Sequence, residues 1–176
     1  TCVLASSWIS LMAGGGQGVL WRKQPASSDV LVAYDLEENT EWYGWDKYPT
    51  HKHHPFDNAC IILAPDTATQ NGAKVGSKGY RLVVNTEDRR ATVLYRNGEP
   101  VARIAQDASF PIRFQGGHAP YYPRRNRISL VKRGDELRAI INGKEMFRYK
   151  DPQPLEVKHV GIGGFDTCIN FSHIEV

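Results

Sequence analysis

Residues 42–57, WYGWDKYPTHKHHPFD, contain the aromatic and histidine side chains best suited to bind a ligand. The segment lacks the strand or helix periodicity that would bury its rings. A flat ring stacks on the apolar face of a pyranose while polar neighbours hold the hydroxyl groups, so the segment predicts a glycan site with Trp42, Trp45 and Tyr48 as platforms. In the alternative interpretation the rings fold back and close one end of the domain, because large aromatic side chains are usually mostly buried.

The three histidines of this segment, His51, His53 and His54, admit three roles. His51 and His53 are two residues apart, so a strand would present both on one face to a metal, with Asp46 or Asp57 as a third ligand. Alternatively, His53 acts as an acid or base at a sugar carbon, because an imidazole titrates near neutral pH. In that case His51 and His54 contact the ligand. In the third interpretation all three are solvated loop residues.

A second cluster, His118, Tyr121, Tyr122, Arg124 and Arg125, lies in a long irregular connection. Arginine forks onto carboxylates, so tyrosine and arginine together would bind an anionic sugar. A Tyr122 base beside an arginine that neutralises a uronate is also what a polysaccharide lyase requires. The alternative is that the arginines are surface charges and the tyrosines pack.

Composition narrows the class of protein. The chain has 176 residues, of which 41% are hydrophobic and 23% charged, which fits one folded domain over residues 1–176 and excludes a disordered chain. A net charge of +3 gives no reason to expect nucleic-acid binding. No apolar run reaches the roughly 18 residues that a membrane span needs. Cys2, Cys60 and Cys168 lack CxxC spacing, and their odd number leaves at least one free thiol.

Short apolar runs separated by turn residues predict an all-β domain. Within residues 126–149, Asn142-Gly143 separates two alternating runs, which is the strongest short-range hairpin signal, and Asn97-Gly98 predicts a second such hairpin. Residues 151–154, DPQP, predict a turn. Together with the remaining runs, these strands predict an all-β sandwich. The predicted strands are two around Gly14-Gly15-Gly16, then 30–36, 59–63, 80–84, 91–95, 100–104, 128–132, 136–141, 144–149, 157–163 and 169–176.

Two sequence patterns bear on activity and adhesion. The E-x-D-x-x-E strand of retaining glucanases is absent, which disfavours hydrolysis by a carboxylate pair, although Asp35 and Glu37 share one strand face. Arg133-Gly134-Asp135 spells an integrin-type tripeptide, but a hairpin turn explains it fully.

The order of segments resembles concanavalin A-like jelly rolls of the laminin-G and glucanase type, and within them the 3-keto-disaccharide hydrolase-like domains. Two positions depart from that family: Ala59-Cys60 replaces Ser-Gly, and Arg125 replaces a tryptophan. The matching stretches are GGGQGVLWRKQ from Gly14, DVLVAYDLE from Asp29, NACIIL from Asn58, GYRLVV from Gly79, RNRISLVKRGDELRAIINGKEMFRY from Arg125 and VGIGGFDTCINFSHIEV from Val160.

The resemblance implies a two-sheet antiparallel jelly-roll sandwich. It also implies a bacterial, extracytoplasmic carbohydrate-binding module of a glycan-processing system. The alternatives it leaves open are an enzyme that cleaves 3-keto-glycosides or eliminates across a uronate, and a structural or protein-interaction module. It implies no cofactor beyond a structural calcium, for which Asp166 occupies the usual late-strand position and oxygen ligands are suitable. A turn aspartate bonded to the backbone is the other interpretation of Asp166.

Overall fold

The computed structural model describes residues 2–5, 8–37, 59–66, 78–86, 91–107, 111 and 125–176. Side chains are described for 18–36, 59–66, 78–86, 91–107, 111, 125–165 and 170–176. Within these ranges the chain forms eleven strands. They are β1 (Cys2–Ala5), β2 (Trp8–Trp21), β3 (Val30–Glu37), β4 (Ala59–Ala64), β5 (Tyr80–Asn85), β6 (Ala91–Arg96), β7 (Glu99–Ala105), β8 (Arg125–Arg133), β9 (Glu136–Ile141), β10 (Lys144–Lys150) and β11 (His159–Glu175).

The strands form two antiparallel layers that share β2 and β11. In the first layer β7, β6, β5 and β4 are successive neighbours, and β4 pairs with residues 159–163 of β11. In the second layer β10, β9, β8 and β3 are neighbours, and β3 pairs with residues 170–175 of β11. A register shift between Phe165 and Thr167 separates the two halves. We call this point the bend, because β11 passes there from one layer to the other.

The two halves of β11 fold back so that the layers face each other. Val160 and Ile162 before the bend line one cavity together with Ile174 and Val176 beyond it. β2 pairs with β11 on both sides of the bend and follows it through both layers. The sandwich therefore has a bend end and an opposite end, which we call the far end.

Alternation along the strands fills the space between the layers, as the sequence predicts. In β9 the residues Leu137, Ala139 and Ile141 are buried and their neighbours are half-buried. In β3, Tyr34 presents its ring edge-on to Phe171 of the adjacent β11, with the ring centroids 4.8 Å apart. The core also contains Val30, Val32, Leu36, Ala59, Ile61, Leu63, Tyr80, Leu82, Val84, Leu94, Ile128 and Leu130.

The Asn-Gly hairpins adopt the backbone conformation that their sequences predict. Asn97 and Gly98 have φ values of 50° and 88°, and Asn142 and Gly143 have φ values of 50° and 79°. Two consecutive positive φ values are the requirement of a type I′ turn, which asparagine and glycine tolerate best. These turns connect β6 to β7 and β9 to β10.

Two predicted boundaries are wrong. The glycines at 14–16 do not turn the chain, because β2 is continuous from Trp8 to Trp21. The predicted strands 157–163 and 169–176 are one strand, β11. The physical reason is the same in both cases: β2 and β11 pair with each other on both sides of the bend. The glycines lie between the paired residues Ala13 and Gln17, where the register shifts, so each strand continues through the bend.

A buried carboxylate joins the two layers at the far end. Asp151, directly after β10 in the second layer, is only 1% exposed. Its Oδ2 accepts hydrogen bonds from Tyr80 Oη of β5 and from Arg96 Nε of β6, each 2.6 Å long. Its Oδ1 accepts a bond from the backbone N–H of Gln153 at 2.9 Å.

Candidate functional site

Most of the residues predicted from sequence to form a site lie outside the described residues. They are Trp42, Trp45, Tyr48, His51, His53, His54, His118, Tyr121, Tyr122 and Arg124. Arg125 is described: it begins β8, is exposed and pairs with Glu37 of β3. Asp166 lies within β11, and its side chain is outside the described part.

In the second layer, the flanks of both predicted loops lie at the bend end. One loop follows β3 and the other precedes β8. Glu37, the last residue of β3, and Arg125, the first of β8, are cross-strand partners. Glu37 also pairs with Asn170, shortly after the bend.

The flanks in the first layer lie at the same end. β4 follows the first loop, and its Cys60 pairs with Gly163 shortly before the bend. The second loop follows β7, whose last residue Ala105 pairs with Ala91, the first residue of β6. Residues 38–58 and 106–124 are therefore both attached to strands at the bend end.

The first layer carries a second apolar cluster on the face that points away from the core. Cys60, Ile62 and Ala64 of β4, together with Val83 of β5, form this cluster and are buried. The neighbouring side chains Val19, Trp21, Tyr95 and Phe165 pack against it and are half-buried. We call Trp21, Arg81, Tyr95 and Phe165, which border this cluster, the aromatic–arginine face.

Strand register arranges most of this face in one row. Trp21 pairs with Gly161, Gly161 with Ile62, Ile62 with Arg81, and Arg81 with Tyr95. The row crosses β2, β11, β4, β5 and β6. At the usual spacing of adjacent strands, the first and last Cα atoms lie about 19 Å apart.

The guanidinium group of Arg81 lies between two aromatic rings. Its Cζ is 4.7 Å from the centroid of Tyr95 and 5.1 Å from the centroid of Phe165. A cation within about 6 Å of a ring centroid is attracted by the quadrupole of the ring. Arg81 therefore holds the rings of Tyr95 and Phe165 in fixed positions relative to each other.

Glycine allows Trp21 to lie close over the sheet. A Cβ atom at Gly161 would come within 3.0 Å of Cε3 and Cζ3 of the Trp21 indole and within 2.8 Å of Val19 Cγ1. Because Gly161 has no side chain, the indole covers the neighbouring strand, and Trp21 remains half-buried. One face of the indole therefore packs on β11 at Gly161, and the ring is partly exposed to solvent.

The thiol beneath this face is not reactive. Cys60 is a free cysteine with no exposed surface. Burial raises the pKa of Cys60 to about 12, although the nearby Arg81 charge and a backbone hydrogen bond lower it. The thiol is therefore protonated at neutral pH and does not act as a nucleophile. The described part of the face offers aromatic rings and a guanidinium group, which are side chains suited to contact a ligand.

A serine, a histidine and an aspartate meet on the outer face of the second layer without forming a hydrolase triad. His173 Nδ1 lies 3.2 Å from Ser172 Oγ and 3.1 Å from Asp35 Oδ2. A catalytic triad needs serine and aspartate on opposite ring nitrogens, whereas here both contact the same nitrogen. Arg127 also pairs with Asp35, at 3.2 Å, and with Glu175, at 2.8 Å. The cluster is therefore an ion-pair network.

The part of the chain that the structure describes also bears on metal binding and on membrane insertion. There, no group of three or more histidine, cysteine or acidic side chains is placed to hold a metal ion. No helix in the same ranges is long and apolar enough to cross a membrane.

The aromatic–arginine face was not predicted from the sequence, although one signal for it was available. Arg81 is a single charged residue inside the apolar strand YRLVVN, and such a residue on a buried strand needs a special partner. Its partners Tyr95 and Phe165 come from other strands, so only the sheet register identifies them.

No protein-family model and no curated protein sequence matches the chain. Among solved structures, the carbohydrate-binding module CBM66 from Bacillus subtilis is similar, with a TM-score of 0.61 and 13% identity, over 99% of this chain and 89% of that chain. The exoplasmic/lumenal domain of VIP36 in its Ca2+/Man-bound form is similar with a TM-score of 0.64 and 12% identity, over 98% of this chain and 78% of that chain.

These likenesses establish the fold. The chain is a two-layer antiparallel jelly-roll sandwich of the lectin-like kind, and the predicted fold class is confirmed. The finer resemblance to 3-keto-disaccharide hydrolase-like domains stays a prediction, because no family model matches.

Proposed function

We propose that this chain is a carbohydrate-binding module that holds an extended glycan on the aromatic–arginine face. One observation carries the proposal: Arg81 is fixed between Tyr95 and Phe165, at 4.7 and 5.1 Å from their ring centroids, on the sheet face that does not form the core. Trp21 lies in the same row of residues, at its opposite end from Tyr95.

The arrangement suits sugars for a physical reason. A pyranose presents an apolar face that stacks on a ring, and half-buried rings lose little conformational freedom on binding because their positions are already set. The row from Trp21 to Tyr95 is about 19 Å long, which favours an oligosaccharide over a single sugar. The guanidinium group of Arg81 adds a positive charge beside the rings.

Two further observations support the proposal. The similar structures include a module described as carbohydrate-binding and a domain in a Ca2+/Man-bound form. In addition, Phe165 lies at the bend, the end to which the flanks of 38–58 and 106–124 belong. We propose that the aromatic, histidine and arginine residues predicted in those segments extend the site at this end.

Calorimetric titration with oligosaccharides chosen from a glycan array tests the site. Trp21→Ala and Tyr95→Ala should each weaken binding by about tenfold, because each removes one stacking ring. The matched control is Leu31→Ala, which truncates an exposed hydrophobic residue of the second layer and should leave the affinity unchanged. Equal affinity of the parent chain and both ring variants would overturn the assignment of this face.

An enzyme is the rival proposal, with His53 or Tyr122 as base on a 3-keto-glycoside or a uronate polymer. Incubation of the protein with a 3-keto-glycoside and with a uronate polymer distinguishes a binding module from an enzyme. A binding module releases no product from either, whereas an enzyme releases product that His53→Ala or Tyr122→Phe stops. An interaction module would neither bind sugar nor turn it over.

A calcium site and a cellular location are proposed as well. We propose an extracytoplasmic module of a glycan-processing system that binds structural calcium through Asp166. The test is the melting temperature with calcium and with chelator. A rise with calcium that Asp166→Asn abolishes supports the site, and equal melting temperatures contradict it.

A further inference from the structure

We propose that a cleft at the far end of the sandwich is a second and independent binding site, which takes a neutral saccharide unit. The cleft has a volume of about 350 Å³. Pockets of about 300 Å³ and upwards are typical of small-molecule sites. The cleft is lined by Arg96, Asn97, Glu99, Val101, Tyr149, Asp151, Pro152 and Gln153.

The two layers build the cleft together. Arg96, Asn97 and Glu99 belong to the hairpin between β6 and β7 in the first layer, and Tyr149 and Asp151 belong to the end of β10 and the turn after it in the second. This end is opposite the bend. None of the residues that line the cleft belongs to the aromatic–arginine face, although Arg96 directly follows Tyr95 in β6.

One wall of the cleft is held in place by hydrogen bonds that the buried Asp151 accepts from Arg96 and from the backbone N–H of Gln153. Arg96 donates from Nε to Asp151 Oδ2 and from Nη2 to the backbone carbonyl of Gln153, at 2.6 Å in each case. Two fixed nitrogens set the plane of the guanidinium group. Asn97 is fixed as well, because its Oδ1 accepts a bond from the Gly79 N–H at 2.9 Å and its own N–H donates to Gly79 O at 2.8 Å.

The fixed side chains still have hydrogen-bonding atoms to offer. Within the described residues, Arg96 Nη1, Asn97 Nδ2, the Gln153 side-chain amide and the Glu99 carboxylate have no hydrogen-bond partner. Three of these groups include donors, and Glu99 is an acceptor. Such a mixture matches sugar hydroxyl groups, each of which both donates and accepts.

Tyr149 supplies an apolar wall. Its ring is half-buried, packs against the core on one side and lines the cleft on the other. A supported ring beside polar groups is the combination that stacks on a pyranose and orients its hydroxyls.

Charge determines the class of sugar. The positive charge of Arg96 is balanced by Asp151, with which it forms an ion pair 2.6 Å long. Glu99 then gives the cleft a surplus negative charge, because the remaining lining residues are uncharged. An acidic sugar is therefore repelled, and a neutral sugar is preferred.

The test is a titration of the 15N-labelled protein, followed by NMR, with the methyl glycosides of glucose, mannose and galactose and with glucuronate. We expect saturable shifts of the amide signals of Asn97, Gly98 and Gln153 with at least one neutral glycoside, and weaker binding of glucuronate. The shifts should persist in Trp21→Ala, which alters only the other site. Absence of saturable shifts at these amides, or tighter binding of glucuronate, would overturn the proposal and leave the aromatic–arginine face unaffected.

Two variants with one matched control complete the experiment. Tyr149→Leu should weaken binding severalfold by removing the ring. Glu99 is exposed, so Glu99→Gln should fold normally and should narrow the difference in affinity between neutral sugar and glucuronate. Glu145→Gln removes an exposed carboxylate from β10 outside the cleft and should change neither affinity. An unchanged preference in Glu99→Gln contradicts the proposed role of charge.

Discussion

The hydroxyl group of Tyr80 donates a 2.6 Å hydrogen bond to Oδ2 of Asp151 and thereby joins the first layer of the sandwich to the second. The same hydroxyl accepts a 2.8 Å bond from the backbone N–H of Leu155. The bond to Asp151 connects residues 71 positions apart in the chain. Both side chains are buried, so the layers cannot separate at the far end without exposing an unpaired polar group.

The first prediction concerns the stability of this connection. Asp151→Ala should lower the free energy of unfolding by about 3 kcal/mol, because it leaves Arg96 and Tyr80 without their partner. Tyr80→Phe keeps the ion pair and should cost about 1–2 kcal/mol. Urea unfolding of both variants measures the loss in free energy of unfolding. Lys150→Ala, which removes an exposed neighbour, is the control. A loss in Asp151→Ala no larger than that of the control would contradict the interpretation.

The second prediction is a pH dependence with a definite sign. Burial raises the pKa of Asp151, but hydrogen bonds from Tyr80, Arg96 and Gln153 outweigh it, so the pKa lies below its ordinary value. Between the lowered pKa of the folded state and the ordinary pKa of the unfolded state, the folded protein therefore binds fewer protons than the unfolded protein. The contribution of Asp151 should be complete above pH about 4 and decrease as the pH falls through the folded-state pKa.

Comparison with Asp151→Asn isolates this effect, because the other carboxylates are common to both proteins. The difference in free energy of unfolding should be constant from pH 5 to 7 and shrink below pH about 4. A difference that grows on acidification would show that the sign is wrong.

The third prediction concerns a buried hydroxyl. Tyr34 has no exposed surface, and its Oη has no hydrogen-bond partner in the described part of the chain. Tyr34→Phe should therefore be neutral or should stabilise the fold by up to about 1 kcal/mol. Phe171→Ala, which removes the ring packed against Tyr34, should cost about 3 kcal/mol or more. Thermal unfolding compares the two, and a large loss in Tyr34→Phe would mean that the hydroxyl is satisfied.

The fourth prediction uses two glycines of β11 as a matched pair. A Cβ atom at Gly161 would meet the side chains of Val19 and Trp21, whereas one at Gly163 would collide with the backbone oxygen of Gly18. A side chain moves aside at a lower free-energy cost than backbone that is hydrogen-bonded within a sheet. Gly163→Ala should therefore cost about 2 kcal/mol more than Gly161→Ala, which should instead weaken glycan binding by moving the indole. Equal losses of stability would contradict this assignment.

The fifth prediction concerns Cys60. Because burial raises its pKa to about 12, alkylation at pH 8 should not modify Cys60 in the folded protein. Peptide mapping by mass spectrometry should find it modified only after urea unfolding. Modification of Cys60 in the native state would show that the aromatic–arginine face opens.

Local sequence predicts the strands and tight turns for a simple reason. Asn97-Gly98 and Asn142-Gly143 determine backbone angles within two residues, and alternation in β9 determines which side chains face the core. Both effects act between neighbours in the chain. The all-β class follows from such local signals, and most predicted strand boundaries agree with the structure within one or two residues.

Only the tertiary structure decided how far β2 and β11 extend and which residues meet across the sandwich. The glycines at 14–16 favour a turn locally, yet β2 continues through them, because it pairs with β11 on both sides of this point. The sequence shows Asp151 as an ordinary turn residue, and its partners Tyr80 and Arg96 are 71 and 55 positions away. Arg81 likewise meets Tyr95 and Phe165 only through strand register. Side-chain chemistry is written in the sequence, but the distance between two side chains depends on the path of the whole chain.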